Sequence, residues 1–338
     1  MSDTRSAAVL GAGSWGTALA MVLADNGFQT RLWARDASLT ETIRTQRENP
    51  RYLPGIPLPP NLDATSDLGE ALAGVQVVTL VVPSHALREL ARRIAPLLPT
   101  GVPIVAAIKG IENDSLSLPS QMLEEILDAS RHPQLTYLSG PSFAKEVALG
   151  MPAAVLVAGK HEASTSAALD AFVSQRLRVY RTDDVVGVEL GGALKNVVAI
   201  AAGISDGLGY GSNARAALIT RGLAEIGRLA IKLGAHPMTV AGLSGMGDLV
   251  LTCTGELSRN RHVGVELGRG KQLTDVLGEM RMVAEGVRTA KSAFALSQRE
   301  NVEMPIVEGV YRILYEGSDP RAEVAGLMGR APRHERDA

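Results

Sequence analysis

The sequence predicts an α/β protein in which a doubly wound, mostly parallel sheet is followed by an all-α domain. Three observations carry this prediction. Short apolar runs rich in valine, isoleucine and leucine alternate with helical stretches through the first half, as expected of βαβ units whose strands are buried on both faces. Near residue 187 the β-type runs stop and long helical patterns take over. A glycine pattern, GAGSWG, sits directly between the first strand-like run and the first helical one.

In chain order, SAAVL reads as a strand, GTALAMVLADNG as a helix and QTRLWAR as the next strand. VQVVTLVVP (75–83), VPIVAAIKG (102–110), QLTYLSG (134–140), AAVLVAG (153–159) and LRVYRTDD (177–184) extend the sheet. VELGGALKNVVAIAAGI, SNARAALITRGLAEIGRLAIKLG, QLTDVLGEM and EGVRTAKSAFALSQREN read as helices, with glycine-rich breaks at 203–211 and 242–247. The domains that follow are residues 1–187 for the sheet and 188–330 for the helices, with 331–338 as a disordered polar tail.

Composition bounds the function. The 338 residues, 46% hydrophobic and 21% charged, suit a globular chain of about two domains. A formal charge of -2 gives no global basic excess, which argues against a nucleic-acid or anionic-membrane partner. No apolar run suggests a membrane span, and the N-terminus reads unlike a secretory signal. The single cysteine, Cys253, excludes an internal disulfide framework and reads as a packed small side chain in a cytoplasmic, reducing setting. The histidines at 85, 132, 161, 236, 262 and 334 lack metal-ligand spacing, so no metal is expected.

GAGSWG places Gly11, Gly13 and Gly16 in the GxGxxG pattern with the strand before it and the helix after it. Glycines there suit a tight turn, close approach of a pyrophosphate and close helix packing, and the helix N-terminus favours the negative charge. The first domain is thus expected to be a dinucleotide-binding, Rossmann-type domain. Its second strand ends near Arg35-Asp36, where an acid reads the free ribose of NAD and an arginine accepts the 2′-phosphate of NADP. The reading leans to Arg35 and NADP(H), with NAD(H) tolerated.

In ELGGALKNVVAIAAGISDGLG (189–209), Lys195 stands in an apolar run of small residues. Three of its helical neighbours, Gly191, Gly192 and Ala199, are tiny, which lets a backbone or ligand approach the ammonium. A desolvated lysine shifts its pKa readily and suits proton transfer. The alternatives are a lysine that snorkels to solvent or pairs with Glu189 or Asp248. Downstream, Ser258-Arg259-Asn260-Arg261 offers an arginine fork with hydroxyl and amide donors, a plausible phosphate cradle or equally a solvated helix start. Lys109, just past a strand, adds a third polar position at the ligand-binding edge of such sheets.

The chain resembles the bacterial-type NAD(P)-dependent glycerol-3-phosphate dehydrogenases over nearly its full length. The resemblance rests on VLGAGSWGTALA, RYLPGIPLPPNL, IKGIE, SGPSFAKEV, the long run from Glu189 to Ile226, GLSGMGDLVLTCTGELSRNRHVG and VAEGVRTA. It implies a homodimer that reduces dihydroxyacetone phosphate to sn-glycerol 3-phosphate for glycerophospholipid synthesis, with Lys195 as acid/base. It further implies that Lys109 contacts cofactor and substrate, and that Gly140, Ser142, Asp248, Ser258, Arg259 and Asn260 bind substrate. Ser14, Trp15, Arg35, Ala144, Arg259, Val283 and Glu285 complete the implied cofactor site. Rival readings are a related reductase of another hydroxy acid or sugar-acid phosphate, and a non-catalytic dinucleotide sensor. A sensor needs no lysine in an apolar helix.

Overall fold

The computed structural model describes residues 5–280, 284–332 and 334–335. Its chain contacts form two compact units: Met1–Lys109 with Pro119–Val185, and Gly110–Leu118 with Val186–Ala338. Residues 110–118, which the sequence reading kept with the sheet, count with the helices because Ile111 and Leu118 are buried in the helical core. Of the expected tail, residues 331, 332, 334 and 335 are described and exposed.

Among its described residues the first unit holds ten strands: β1 (Ser6–Leu10), β2 (Gln29–Trp33), β3 (Glu48–Asn49), β4 (Leu53–Pro57), β5 (Leu62–Thr65), β6 (Val77–Leu80), β7 (Ile104–Ala106), β8 (Leu135–Ser139), β9 (Ala153–Ala158) and β10 (Leu177–Thr182). Eight of them form one sheet in the order β10-β9-β8-β7-β6-β1-β2-β5. All pairings are parallel except β8 with β9. From β1 the chain winds out through β2 to β5, then returns to the other side of β1 at β6, so the topological switch point lies between β1 and β6. β3 and β4 pair apart from this sheet as a short antiparallel ribbon. The sequence reading missed β5, β3 and β4, whose residues LDAT, EN and LPGIP lack the apolar runs of the buried strands.

The second unit is built on a 23-residue helix, Val185–Gly207. This helix is long and apolar enough to cross a membrane, yet 89% of its most apolar window is buried inside the protein. A helix apolar on all sides requires such a wrapping. Around it lie Ser212–Lys232, Asp248–Thr254, Arg259–Gly268, Glu285–Arg299 and Pro305–Tyr311, which share one core of Val197, Ile200, Ile226, Leu249, Val263 and Val307 among others.

Gly203 and Gly207 do not break the core helix as the sequence reading expected; the break comes at residues 208–211. A Cβ on Gly203 would overlap the Arg261 carbonyl oxygen and lie 2.9 Å from Gly264 Cα, and one on Gly207 would overlap the Val265 carbonyl. The facing Gly264 and Gly268 are equally tight against Ile200 and Ile204. Two glycine pairs spaced four apart thus let the helices Val185–Gly207 and Arg259–Gly268 meet backbone to backbone.

Glu225 on Ser212–Lys232 is 2% exposed, and its carboxylate accepts from the backbone N–H groups of Ile306 and Val307 at 2.8 and 3.2 Å. It therefore caps the helix Pro305–Tyr311 from the side. Burial pushes its pKa up to about 7, against the opposing pull of those N–H groups and of Arg228 and Arg221.

Three changes in stability test this unit. Gly203→Ala costs about 3 kcal/mol in denaturant unfolding, because the helix backbones must separate. The exposed Gly326, whose Cβ would meet nothing within 4 Å, gains about 0.5 kcal/mol on replacement by alanine. Glu225 is neutral in the fold at a pH where the unfolded chain ionises it, so its favourable contribution is complete below about pH 4.5 and is lost as pH rises through about 7. Thermal melts across that window should show the parent losing stability relative to Glu225→Gln; parallel curves contradict the assignment.

Candidate active site

In the first unit, β1, β2, β6, β7 and β8 run parallel, so the residues after each strand gather at one carboxyl edge of the sheet. The glycine loop follows β1. Gly11 has φ +126°, and its Cβ would overlap the Val81 carbonyl at the end of β6, so the loop lies at the switch point. A Cβ on Gly16 would overlap the Gly11 carbonyl, which is why the helix Ser14–Asp25 can start so close to the strand. Around Gly13 a Cβ would meet nothing within 4 Å, and no side chain caps the helix that begins after it. Open approach at the middle glycine beside an uncapped helix N-terminus fits a dinucleotide pyrophosphate.

The short ribbon β3–β4 holds this loop. Asn49, fully buried, donates through Nδ2 to the Ala12 carbonyl at 2.9 Å and to Thr17 Oγ1 at 2.8 Å. Ser14 Oγ donates to the Tyr52 carbonyl at 2.6 Å, and the buried Trp15 indole N–H meets no hydrogen-bond acceptor among the described residues. Asn49 was missed from sequence; its one signal was its place two residues before the RYLPGIPLPPNL stretch.

After β2, Arg35 is exposed. Asp36 is committed to local structure: it caps the helix Ala37–Gln46 by accepting from the N–H groups of Ser38 and Leu39, and it pairs with Arg51 at 3.1 Å. The Ser38 hydroxyl first, then the Leu39 N–H, hold its carboxyl below the ordinary range. Past β7, Lys109 Nζ donates to the Gly140 carbonyl at 3.3 Å, and Ser142 Oγ donates to the same oxygen at 3.0 Å. Gly140, at φ +139°, turns the chain after β8 against Val155, and Ala144 opens the helix Ala144–Ala148 two residues beyond Ser142.

In the second unit, Lys195 is 6% exposed and its ammonium donates to Asp248 Oδ1 and, at 2.7 Å, to Thr252 Oγ1. Thr252 donates onward to the Asp248 carbonyl at 2.6 Å, so toward the lysine it acts as an acceptor. Of the alternatives the sequence left open, solvent snorkelling is excluded and Asp248 is a partner. Thr252 and the neighbouring Asn196 were missed, since an isolated threonine or asparagine in an apolar helix carries no spacing signal.

Ser258 caps the helix Arg259–Gly268, its Oγ accepting from the Arg261 N–H at 3.2 Å, which leaves the hydroxyl proton to donate. Asn260 donates to Asn196 Oδ1 at 2.9 Å and accepts from the Gly286 N–H at 2.9 Å, tying three helices and keeping one amide hydrogen for a ligand. Arg259 is exposed; its crowded surroundings draw its pKa down and Glu285 opposes this, yet a guanidinium reaching solvent stays charged. Val283 lies outside the described residues. Cys253 is fully buried, and burial pushes its thiol up to about 12, so it packs rather than reacts.

Comparison with known proteins places both units in one family. Residues 6–165 match the family model described as NAD-dependent glycerol-3-phosphate dehydrogenase N-terminus, and residues 184–325 match the corresponding C-terminus model. A glycerol-3-phosphate dehydrogenase (NAD(P)+) of Myxococcus xanthus is 55% identical over 327 residues, covering 97% of this chain and 98% of the relative. The crystal structure of glycerol-3-phosphate dehydrogenase from Coxiella burnetii is 42% identical with a TM-score of 0.92, covering 97% of this chain and 99% of that one. D-mandelate dehydrogenase, 12% identical with a TM-score of 0.56, shares the fold alone. With both family models matched in order and half the residues identical to a full-length relative, the chain belongs to the NAD-dependent glycerol-3-phosphate dehydrogenase family.

Proposed function

We propose that the protein is an NAD(P)-dependent glycerol-3-phosphate dehydrogenase that reduces dihydroxyacetone phosphate to sn-glycerol 3-phosphate. The observation that carries the mechanism is the buried Lys195 ammonium held by Asp248 and Thr252. The nicotinamide, when bound, supplies the hydride for the carbonyl carbon. The oxygen of that carbonyl then develops negative charge and needs a proton. Lys195 supplies it from Nζ, and its fixed direction means no reorganisation is needed as the charge grows. In the reverse reaction the neutral amine takes the proton back. Asp248 stabilises the ammonium form against burial, and Thr252 keeps it aimed.

Ser258, Arg259 and Asn260 supply a hydroxyl, a guanidinium and an amide for the phosphate end of the substrate. Lys109, Gly140 and Ser142 form a further polar set for the substrate, Lys109 also serving the cofactor. Gly11, Gly13, Ser14, Trp15, Gly16, Arg35, Ala144, Val283 and Glu285 serve the dinucleotide. The engagement of Asp36 in capping and with Arg51 supports Arg35 as the ribose reader and a lean to NADP(H) over NAD(H). The same reading carries a cytoplasmic homodimer feeding glycerophospholipid synthesis. The single buried cysteine and balanced charge support the compartment, and family membership supports the rest.

Following cofactor oxidation with dihydroxyacetone phosphate, the parent should turn over while Lys195→Ala binds NADPH but loses at least about 100-fold in kcat. A parent that binds cofactor but never turns over this substrate contradicts the proposal, as does an alanine variant of undiminished rate.

A further inference from the structure

Asp206 lies about three turns beyond Lys195 on the same helix and therefore on the same face. Its side chain is 8% exposed and carries two arginine forks. Oδ1 accepts from Arg215 Nε at 2.9 Å and Nη2 at 2.6 Å. Oδ2 accepts from Arg261 Nε at 2.8 Å and lies 2.7 Å from its Nη2. Arg215 belongs to the helix Ser212–Lys232, and Arg261 directly follows Asn260. One nearly buried carboxylate thus joins three helices, one of which starts with the proposed phosphate-binding turn.

The glycine contacts between the core helix and Arg259–Gly268 fix how closely the two approach, but smooth backbone surfaces resist sliding and rotation poorly. Rotation has to be set by side chains. Arg259 and Arg261 are two residues apart, about 200° around the helix. Arg261 turned onto Asp206 of the core helix consequently turns Arg259 away from it, in keeping with the exposure of Arg259. The charge-assisted bond from Arg261 Nε, with Nη2 close to the same oxygen, gives this grip a definite direction. Asn260, bound to Asn196, supplies a second rung on the same side.

We infer that Asp206 is a positioning residue which, by gripping Arg261, sets the rotation of the Ser258–Asn260 turn and hence the affinity for the phosphate end of the substrate. The inference rests on the phosphate role proposed above for Ser258, Arg259 and Asn260. Arg215 shares the carboxylate but belongs to another helix, so it braces Asp206 without orienting that turn.

The test compares the parent with Asp206→Asn, Arg261→Lys and Arg215→Gln. It measures kcat and KM for dihydroxyacetone phosphate, inhibition by inorganic phosphate, and thermal unfolding. Asp206→Asn and Arg261→Lys should raise KM about 10-fold and weaken phosphate inhibition by a similar factor, with kcat at saturation within about 3-fold of the parent. Arg215→Gln should leave KM within about 2-fold of the parent. If Asp206→Asn does not fold, Arg261→Lys decides alone, since it keeps the charge and removes only the fork. An unchanged KM in Arg261→Lys overturns the inference, as does an Arg215→Gln variant that matches it. A parent inactive on dihydroxyacetone phosphate counts instead against the underlying function.

Discussion

The ion pair between Lys195 and Asp248 is the interaction that the helical unit is arranged around. A lysine in the middle of an apolar core helix is tolerated only with a partner of opposite charge, and removing one member of such a pair costs about 3–5 kcal/mol. Bringing Asp248 to Lys195 in turn dictates the chain before it. The segment Leu243–Gly247 is a single wide π-helical turn, a feature frequent at functional sites. That turn fits only because its neighbours lack side chains. A Cβ on Gly245 would overlap the Val240 carbonyl, and one on Gly191, a turn before Lys195, would lie 2.7 Å from the Ser244 carbonyl. The glycines around the lysine thus admit the backbone that delivers its carboxylate.

A comparable economy governs the sheet unit. The parallel order of β1, β2, β6, β7 and β8 collects five strand ends on one edge, and the reversal at β1 and β6 opens the place where a pyrophosphate can meet a helix N-terminus. The glycine loop alone does not hold its shape; Asn49 and the Ser14 hydroxyl fasten it to the β3–β4 ribbon. Both units therefore place chemistry on backbone kept rigid by buried polar side chains, which is what preorganisation requires.

The strongly periodic parts of the fold were legible in the sequence. The buried strands and the core helix announced themselves because burial on both faces, or on every side of a helix, leaves an unbroken apolar record, and the long amphipathic helices around it by their helical periodicity. The ribbon β3–β4 and the edge strand β5 left none, and Gly203 and Gly207 were misread because a helix break and a close helix crossing call for the same residue. At the site, the glycine loop and Lys195 stood out by pattern and by incongruity. Asn49, Asn196, Thr252 and Asp206 did not, since each acts through a hydrogen bond to a residue far off in the chain, which spacing cannot encode.

The central claim is that Asp248 keeps Lys195 charged, and thus able to give its proton, in surroundings that disfavour the charge. The most direct measurement is the pH dependence of kcat/KM for dihydroxyacetone phosphate reduction by the parent and by Asp248→Asn. Reduction consumes a proton that the ammonium supplies, so the rate falls at alkaline pH. Removing the carboxylate withdraws support from the charged form. The account therefore predicts that the alkaline fall in Asp248→Asn moves to lower pH by about one unit or more. An alkaline limb that stays where the parent has it contradicts the account.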